Sequence, residues 1–126
     1  MNLSRMLRAR AEEGNPVRVG LIGAGKFGSM FLAQARRTPG MHLVGVADLS
    51  AEGARAALAR TGWETQRTAA RTPAEAYEHG TTWVTQASSA LILADEVEVV
   101  VEATGNPEAG IHHALECIRA GKHVVM

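Results

Sequence analysis

The chain has 126 residues, enough for one domain with a real hydrophobic core. Hydrophobic residues make up 46% and charged residues 21%, which excludes a disordered chain. Thirteen basic residues balance thirteen acidic ones, so no nucleic-acid partner and no anionic membrane surface is expected.

Residues Leu3–Glu13 read as a helix, because Leu3, Met6 and Leu7 recur at helical spacing and Gly14-Asn15-Pro16 stops the pattern. The apolar stripe is narrow, so residues 1–16 are expected to form a helical arm ahead of a domain over 17–126. The start of the chain is basic and broken by charges, unlike a signal peptide, and no stretch is apolar for the length of a membrane span. A cytoplasmic protein with no membrane partner is expected. A single cysteine, Cys117, excludes an internal disulfide and any cysteine-based metal cluster, and no metal site is expected.

Val17–Ile22 reads as a strand, continuously apolar in its second half like a parallel strand covered on both faces. Gly23-Ala24-Gly25-Lys26-Phe27-Gly28 follows directly and opens a helix reaching about Arg37, with Phe27, Met30, Phe31 and Ala35 as its apolar residues. Thr38-Pro39-Gly40 ends that helix. Met41–Ala47 is a second strand closed by Asp48, and Ser50 can cap a helix over Ala51–Arg60. The stretch Trp63–Gly80 resists reading, except that Thr72-Pro73-Ala74-Glu75 has the form of a helix start. Thr81–Thr85 has strand propensity, and Ser88–Ala94 forms a short helix. Val97–Glu102 is a strong strand, Ala103-Thr104-Gly105-Asn106 the loop at its carboxyl end, and Pro107–Ala120 a helix stopped by Gly121. Lys122–Met126 forms a fifth strand.

Strands alternating with helices predict a Rossmann-type, doubly wound α/β fold with a parallel sheet of about five strands in the order 3-2-1-4-5. The glycine pattern is the strongest functional signal, because it follows a strand and opens a helix, as a dinucleotide fingerprint requires. Gly23 permits the tight turn, Gly25 lets a pyrophosphate approach the backbone, and Gly28 lets the helix pack against the strand. The main-chain N–H groups near Lys26 and Phe27 would meet the phosphates.

Asp48 stands about 20 residues beyond Gly28, where a carboxylate accepts hydrogen bonds from an adenosine ribose. Taken alone, it would better suit the start of a helix as an acid favoured by the dipole, and it is the glycine motif that turns the reading toward a ribose. A methyltransferase could share the acidic strand end, but the glycine spacing suits a dinucleotide better. Thr104, Gly105 and Asn106 stand where a nicotinamide would lie, and either Thr104 or Asn106 could instead cap the Pro107 helix. His112 and His113 are expected at the surface or partly buried, His123 to be structural, and Cys117 a small buried residue. Glu102 stands at the carboxyl end of its strand without an assigned partner. No catalytic residue is identifiable from spacing.

Val19–Gly28, Gly45-Val46-Ala47-Asp48, Val99–Gly105 and Ala120–Met126 together resemble the nucleotide-binding domain of homoserine dehydrogenases. With the N-terminal helix and the run Gly105–Gly110, the closer resemblance is to homoserine-dehydrogenase-like proteins bearing a SAF domain. That family includes a reductoisomerase-like enzyme of isoprenoid biosynthesis, which converts deoxyxylulose 5-phosphate with NADPH. The resemblance covers essentially the whole chain. It implies hydride transfer to a small carbonyl substrate in a longer protein whose catalytic domain lies beyond Met126, so that this chain would be an N-terminal piece with little activity of its own.

The cofactor stays open between NAD(H) and NADP(H). Asp48 favours the free 2′-hydroxyl of NAD, with Arg55 the one nearby arginine that could reach a 2′-phosphate, whereas the resemblance leans to NADPH. The alternative to an enzyme piece is a free-standing nucleotide-sensing or assembly module. The fifth strand would leave an apolar edge, so a homo-oligomer is expected.

Overall fold

The computed structural model describes residues 2–126. Helix α1 (Leu3–Glu12) precedes β1 (Val17–Ile22), α2 (Lys26–Ala35), β2 (Met41–Ala47) and α3 (Ala51–Arg60). A 3-10 turn over Thr65–Thr68 leads to α4 (Pro73–His79), β3 (Trp83–Thr85) and α5 (Ser88–Leu93). Strand β4 (Val99–Glu102), helix α6 (Pro107–Ala120) and β5 (His123–Val125) complete the chain. The five strands form one sheet in the order β3-β2-β1-β4-β5, with every pair parallel. This is the expected Rossmann-type fold.

Local chemistry sets the helix ends. Asn2, Ser50, Thr72 and Asn106 each accept a main-chain N–H into the first turn of the following helix. Pro73 and Pro107 occupy first-turn positions where no hydrogen bond is lost. Gly80 and Gly121 end α4 and α6 in the left-handed conformation.

Core residues cover both faces of the sheet, as a doubly wound fold requires. One cluster joins Ile22, Val44 and Val100 to Ala76, Leu91, Ile92 and Cys117 of α4, α5 and α6. The other joins Leu21, Leu43 and Val46 to Leu32, Ala54, Ala57 and Leu58 of α2 and α3. The β1–β2 register skips one residue, pairing Val19 with Leu43 but Gly20 with Gly45. The paired glycines leave room for α5: a methyl group on Gly20 would lie 3.0 Å from Leu91 Cγ, and one on Gly45 only 2.6 Å from its Cδ1.

Three expectations need correction. Helix α2 buries Gly28, Leu32 and Ala35, while Phe27 and Met30 are 62% and 61% exposed. Strand β3 starts at Trp83 rather than Thr81, because Thr81 and Thr82 make other bonds: the Thr82 hydroxyl donates to the Leu43 carbonyl at 2.7 Å, and His42 bonds the Thr81 carbonyl. Strand β4 starts at Val99 rather than Val97, and the Val97 N–H turns back to the Ala94 carbonyl.

Candidate functional site

The carboxyl ends of β1, β2 and β4 open on one cleft of about 380 Å³. It lies at the reversal of strand order, where open α/β sheets bind their ligands. Gly23, Gly25 and Asp48 line one part of it, and Thr104, Asn106 and His113 another.

The glycine loop owes its shape to contacts that exclude side chains. Gly23 has φ of 96°, and a methyl group there would lie 2.9 Å from the Ala103 carbonyl and the Thr104 nitrogen. A methyl group on Gly28 would lie 1.9 Å from the Gly23 carbonyl oxygen. Gly25 is different: nothing stands within 4 Å of the place where its Cβ would be. It is exposed, lines the cleft and sits at the N-cap of α2 with no side chain to satisfy the N–H groups of the first turn. Those donors and the helix dipole favour negative charge beside the open backbone. Lys26 and Phe27 supply the first-turn N–H groups, with both side chains outside the cleft lining.

Asp48 is fixed at the end of β2. Its Oδ1 accepts the Ala24 N–H at 3.0 Å, and its Oδ2 accepts the Ser50 N–H at 3.0 Å. The carboxylate thus ties the glycine loop to the start of α3 and keeps acceptor capacity on both oxygens. Beside it Leu49, 95% exposed, forms an apolar wall of the cleft. Arg55 points elsewhere, donating to the Thr68 carbonyl at 3.2 Å.

The β4–α6 loop forms the opposite wall. Asn106 takes the capping role, its Oδ1 accepting the Ala109 N–H at 3.1 Å. Thr104 lies ahead of the cap: its N–H and hydroxyl both donate to Glu102 Oε1, at 2.8 and 2.6 Å, and its hydroxyl oxygen accepts the Asn106 N–H at 3.2 Å. Gly105 forms the exposed turn between them, with φ of 70°. The second carboxylate oxygen of Glu102 is held by His113 Nδ1. Burial raises the Glu102 carboxyl pKa, yet the bonds from Thr104 and His113 outweigh it and hold the group below the usual range.

The sequence brought Gly23, Gly25, Asp48, Thr104 and Asn106 to the site, and the structure gathers all five around one cleft. It adds Leu49, Gln86, Ala109 and His113. Of these, His113 carries chemistry that spacing did not reveal. Among the described residues no group of three histidine, cysteine or acidic side chains could hold a metal ion. No helix among them is long and apolar enough to cross a membrane.

Fold and cleft together define a dinucleotide-binding domain, with a glycine loop at a helix start, an acidic second-strand end and a cleft at the switch point of the sheet. A nicotinamide dinucleotide bound in this cleft would supply hydride chemistry, and the residues around the cleft would hold and orient it. The chain belongs to the GFO_IDH_MocA oxidoreductase family, NAD-binding Rossmann fold, whose model matches residues 17–126. Among curated proteins, no sequence match reaches significance.

Several solved structures are similar. Biliverdin reductase from Synechocystis sp. PCC 6803, in complex with biliverdin and NADP+, is 25% identical with a TM-score of 0.64, over 87% of this chain and 28% of that one. Myo-inositol dehydrogenase from Lactobacillus casei, in complex with NAD(H) and myo-inositol, is 20% identical with a TM-score of 0.63, over 86% and 27%. GenD2 from gentamicin A biosynthesis, in complex with NAD, is 21% identical with a TM-score of 0.62, over 86% and 26%. The chain thus spans about a quarter of the length of these neighbours.

Proposed function

We propose that residues 17–126 hold the nicotinamide cofactor of an oxidoreductase that transfers hydride to or from a small carbonyl substrate, with residues 1–16 as a helical arm. The observation that carries this reading is the single cleft that unites open Gly25 with Asp48. Gly23, Gly25 and the main-chain groups of Lys26 and Phe27 take the pyrophosphate, and Asp48 takes the adenosine ribose. Gly28 packs the loop, and Thr104, Gly105 and Asn106 border the nicotinamide half. Because the chain spans about a quarter of the length of its structural neighbours, the proposal is that these 126 residues bind cofactor with little turnover of their own.

NAD(H) is the proposed cofactor. Asp48 repels a 2′-phosphate, and Arg55, the arginine that could have neutralised one, is committed to Thr68. Titration calorimetry with NADH and NADPH at one salt concentration tests this. Saturable binding with NADH the tighter supports it; tighter NADPH overturns the cofactor choice, and no binding of either overturns the reading.

Within the family, the finer proposal is a homoserine-dehydrogenase-like protein of the SAF-bearing type, acting like the deoxyxylulose-phosphate reductoisomerase-like enzymes of isoprenoid biosynthesis. Its support is the run Val99–Gly105 with Gly105–Gly110, together with the N-terminal helix. A cytoplasmic home belongs to the same proposal, in keeping with the lone, buried Cys117. We propose too that copies associate through the β5 edge, where Val125 and Met126 are exposed; α6, which precedes β5, also exposes Ile111, Leu115 and Ile118. Light scattering checks this: a mass above the monomer is expected, and a monomer at high concentration contradicts it.

A further inference from the structure

Glu102 and His113 form a carboxylate–imidazole pair at the wall of the cleft. The Glu102 side chain is 2% exposed and that of His113 12%. Glu102 accepts from Thr104 twice and from His113 Nδ1 once, which fixes the ring from below.

The pair dictates the tautomer of the histidine. A carboxylate that already takes two hydrogen bonds from Thr104 requires the hydrogen on Nδ1, so in the neutral ring Nε2 is an acceptor. Nε2 has no hydrogen-bond partner among the described residues. Among the described residues no buried side-chain nitrogen or oxygen lacks a partner, so Nε2 is open to solvent. His113 lines the cleft together with Thr104, Asn106 and Ala109, and stands where the cleft meets a second, more open pocket bordered by Glu108, His112 and Leu115.

The identity of the group that meets Nε2 follows from the order of the cleft. A dinucleotide with its pyrophosphate at Gly25 and its adenosine ribose at Asp48 has its nicotinamide half toward the β4–α6 wall. The nicotinamide carboxamide is the part of that half which carries N–H donors. We propose that His113, positioned by Glu102, accepts a hydrogen bond from the carboxamide N–H at Nε2, and so selects a nicotinamide over other groups at that end. The inference rests on the dinucleotide reading above.

The test separates the two halves of the cofactor. An asparagine at 113 can donate to Glu102 from about where Nδ1 stands, but has nothing in place of Nε2. Calorimetry on wild type, His113→Asn and His113→Ala uses NADH and ADP-ribose, which lacks the nicotinamide. Both variants are expected to weaken NADH about fivefold, the value of one hydrogen bond, and to leave ADP-ribose unchanged.

A second arm needs no variant. Wild type is expected to prefer NAD+ over nicotinic acid adenine dinucleotide, whose carboxylate offers no N–H, by at least that factor. Unchanged NADH affinity in His113→Asn, equal loss of NADH and ADP-ribose, or equal wild-type affinity for NAD+ and the acid analogue would each overturn the inference while leaving the dinucleotide reading intact. Wild type that binds neither NADH nor ADP-ribose overturns that reading, and the inference with it.

Discussion

A methyl group at position 28 would lie 1.9 Å from the Gly23 carbonyl oxygen, with backbone on both sides of the clash. Gly28→Ala is therefore expected to cost at least about 3 kcal/mol, the upper range for overpacking, as read from urea unfolding. Asp48 carries a different load, since it holds two main-chain N–H groups and faces the cleft. Asp48→Ala is expected to weaken NADH about tenfold to a hundredfold, the value of hydrogen bonds to a charged group, and to weaken NADPH less. Parallel titrations of both cofactors check the difference; equal losses contradict the ribose role.

Two titrating side chains make the fold sensitive to acid. Burial lowers the pKa of His42 below its ordinary 6.5, and Arg18 and Arg67 add to this against the Thr81 carbonyl. In the pH window just below 6.5 the unfolded chain binds the proton and the folded one resists it, so stability falls as pH falls through that window. Glu102, held below its ordinary 4.5, stabilises the fold above that value and loses its contribution as pH drops through the folded pKa. Urea midpoints are expected to fall between about pH 7.5 and about pH 5.5, and to fall less in His42→Gln, whose amide can still donate to Thr81 but does not titrate. An identical slope in the variant contradicts this.

At the scale of elements, Leu91 is the keystone of the α5 face. It is fully buried and rests on the gap left by Gly20 and Gly45. Leu91→Ala is expected to cost about 2–5 kcal/mol by opening a cavity between sheet and helix, measurable by urea unfolding. Much at this scale was legible in the sequence, because its causes are local. Thr72-Pro73 and Asn106-Pro107 marked helix starts through cap and proline chemistry, and the continuous apolar runs marked parallel strands. The glycine loop and Asp48 were legible for the same reason, as turn, close approach and strand end lie near in sequence.

What was not legible depends on contacts between distant segments. The 3-10 turn Thr65–Thr68 has no apolar rhythm; it is held by the Thr82 N–H bonding to Arg67 and by Arg55 bonding to Thr68. In α2 the small residues Gly28 and Ala35 lie against the fold while the larger Phe27 and Met30 face out, because close approach there outweighs side-chain size. The Glu102–His113 pair joins a strand end to the middle of a helix, so neither residue's neighbours in sequence announce it.

For the whole molecule, the sheet order is what converts separate motifs into one site. It sets β1 between β2 and β4, so the carboxyl ends that carry Gly23, Asp48 and Thr104 meet over a common cleft. The far side is closed by charge: Arg18 bonds the Glu96 carbonyl at 2.6 Å and pairs with Glu98, which also meets Arg10 of α1 at 3.5 Å. Helix α1 is thereby fastened at the end of the sheet opposite the cleft.

The central claim is that one dinucleotide spans this cleft from the α2 start to the β4–α6 loop. Amide chemical shifts of the isotope-labelled chain, followed through a titration with NADH, test it most directly. The account predicts saturable shifts at Gly25–Phe27, at Leu49 and Ser50, and at Thr104–Asn106, with the α1 amides unmoved. Saturation with NADH that leaves the glycine loop unmoved, or that shifts residues away from the carboxyl ends of the strands, would contradict it.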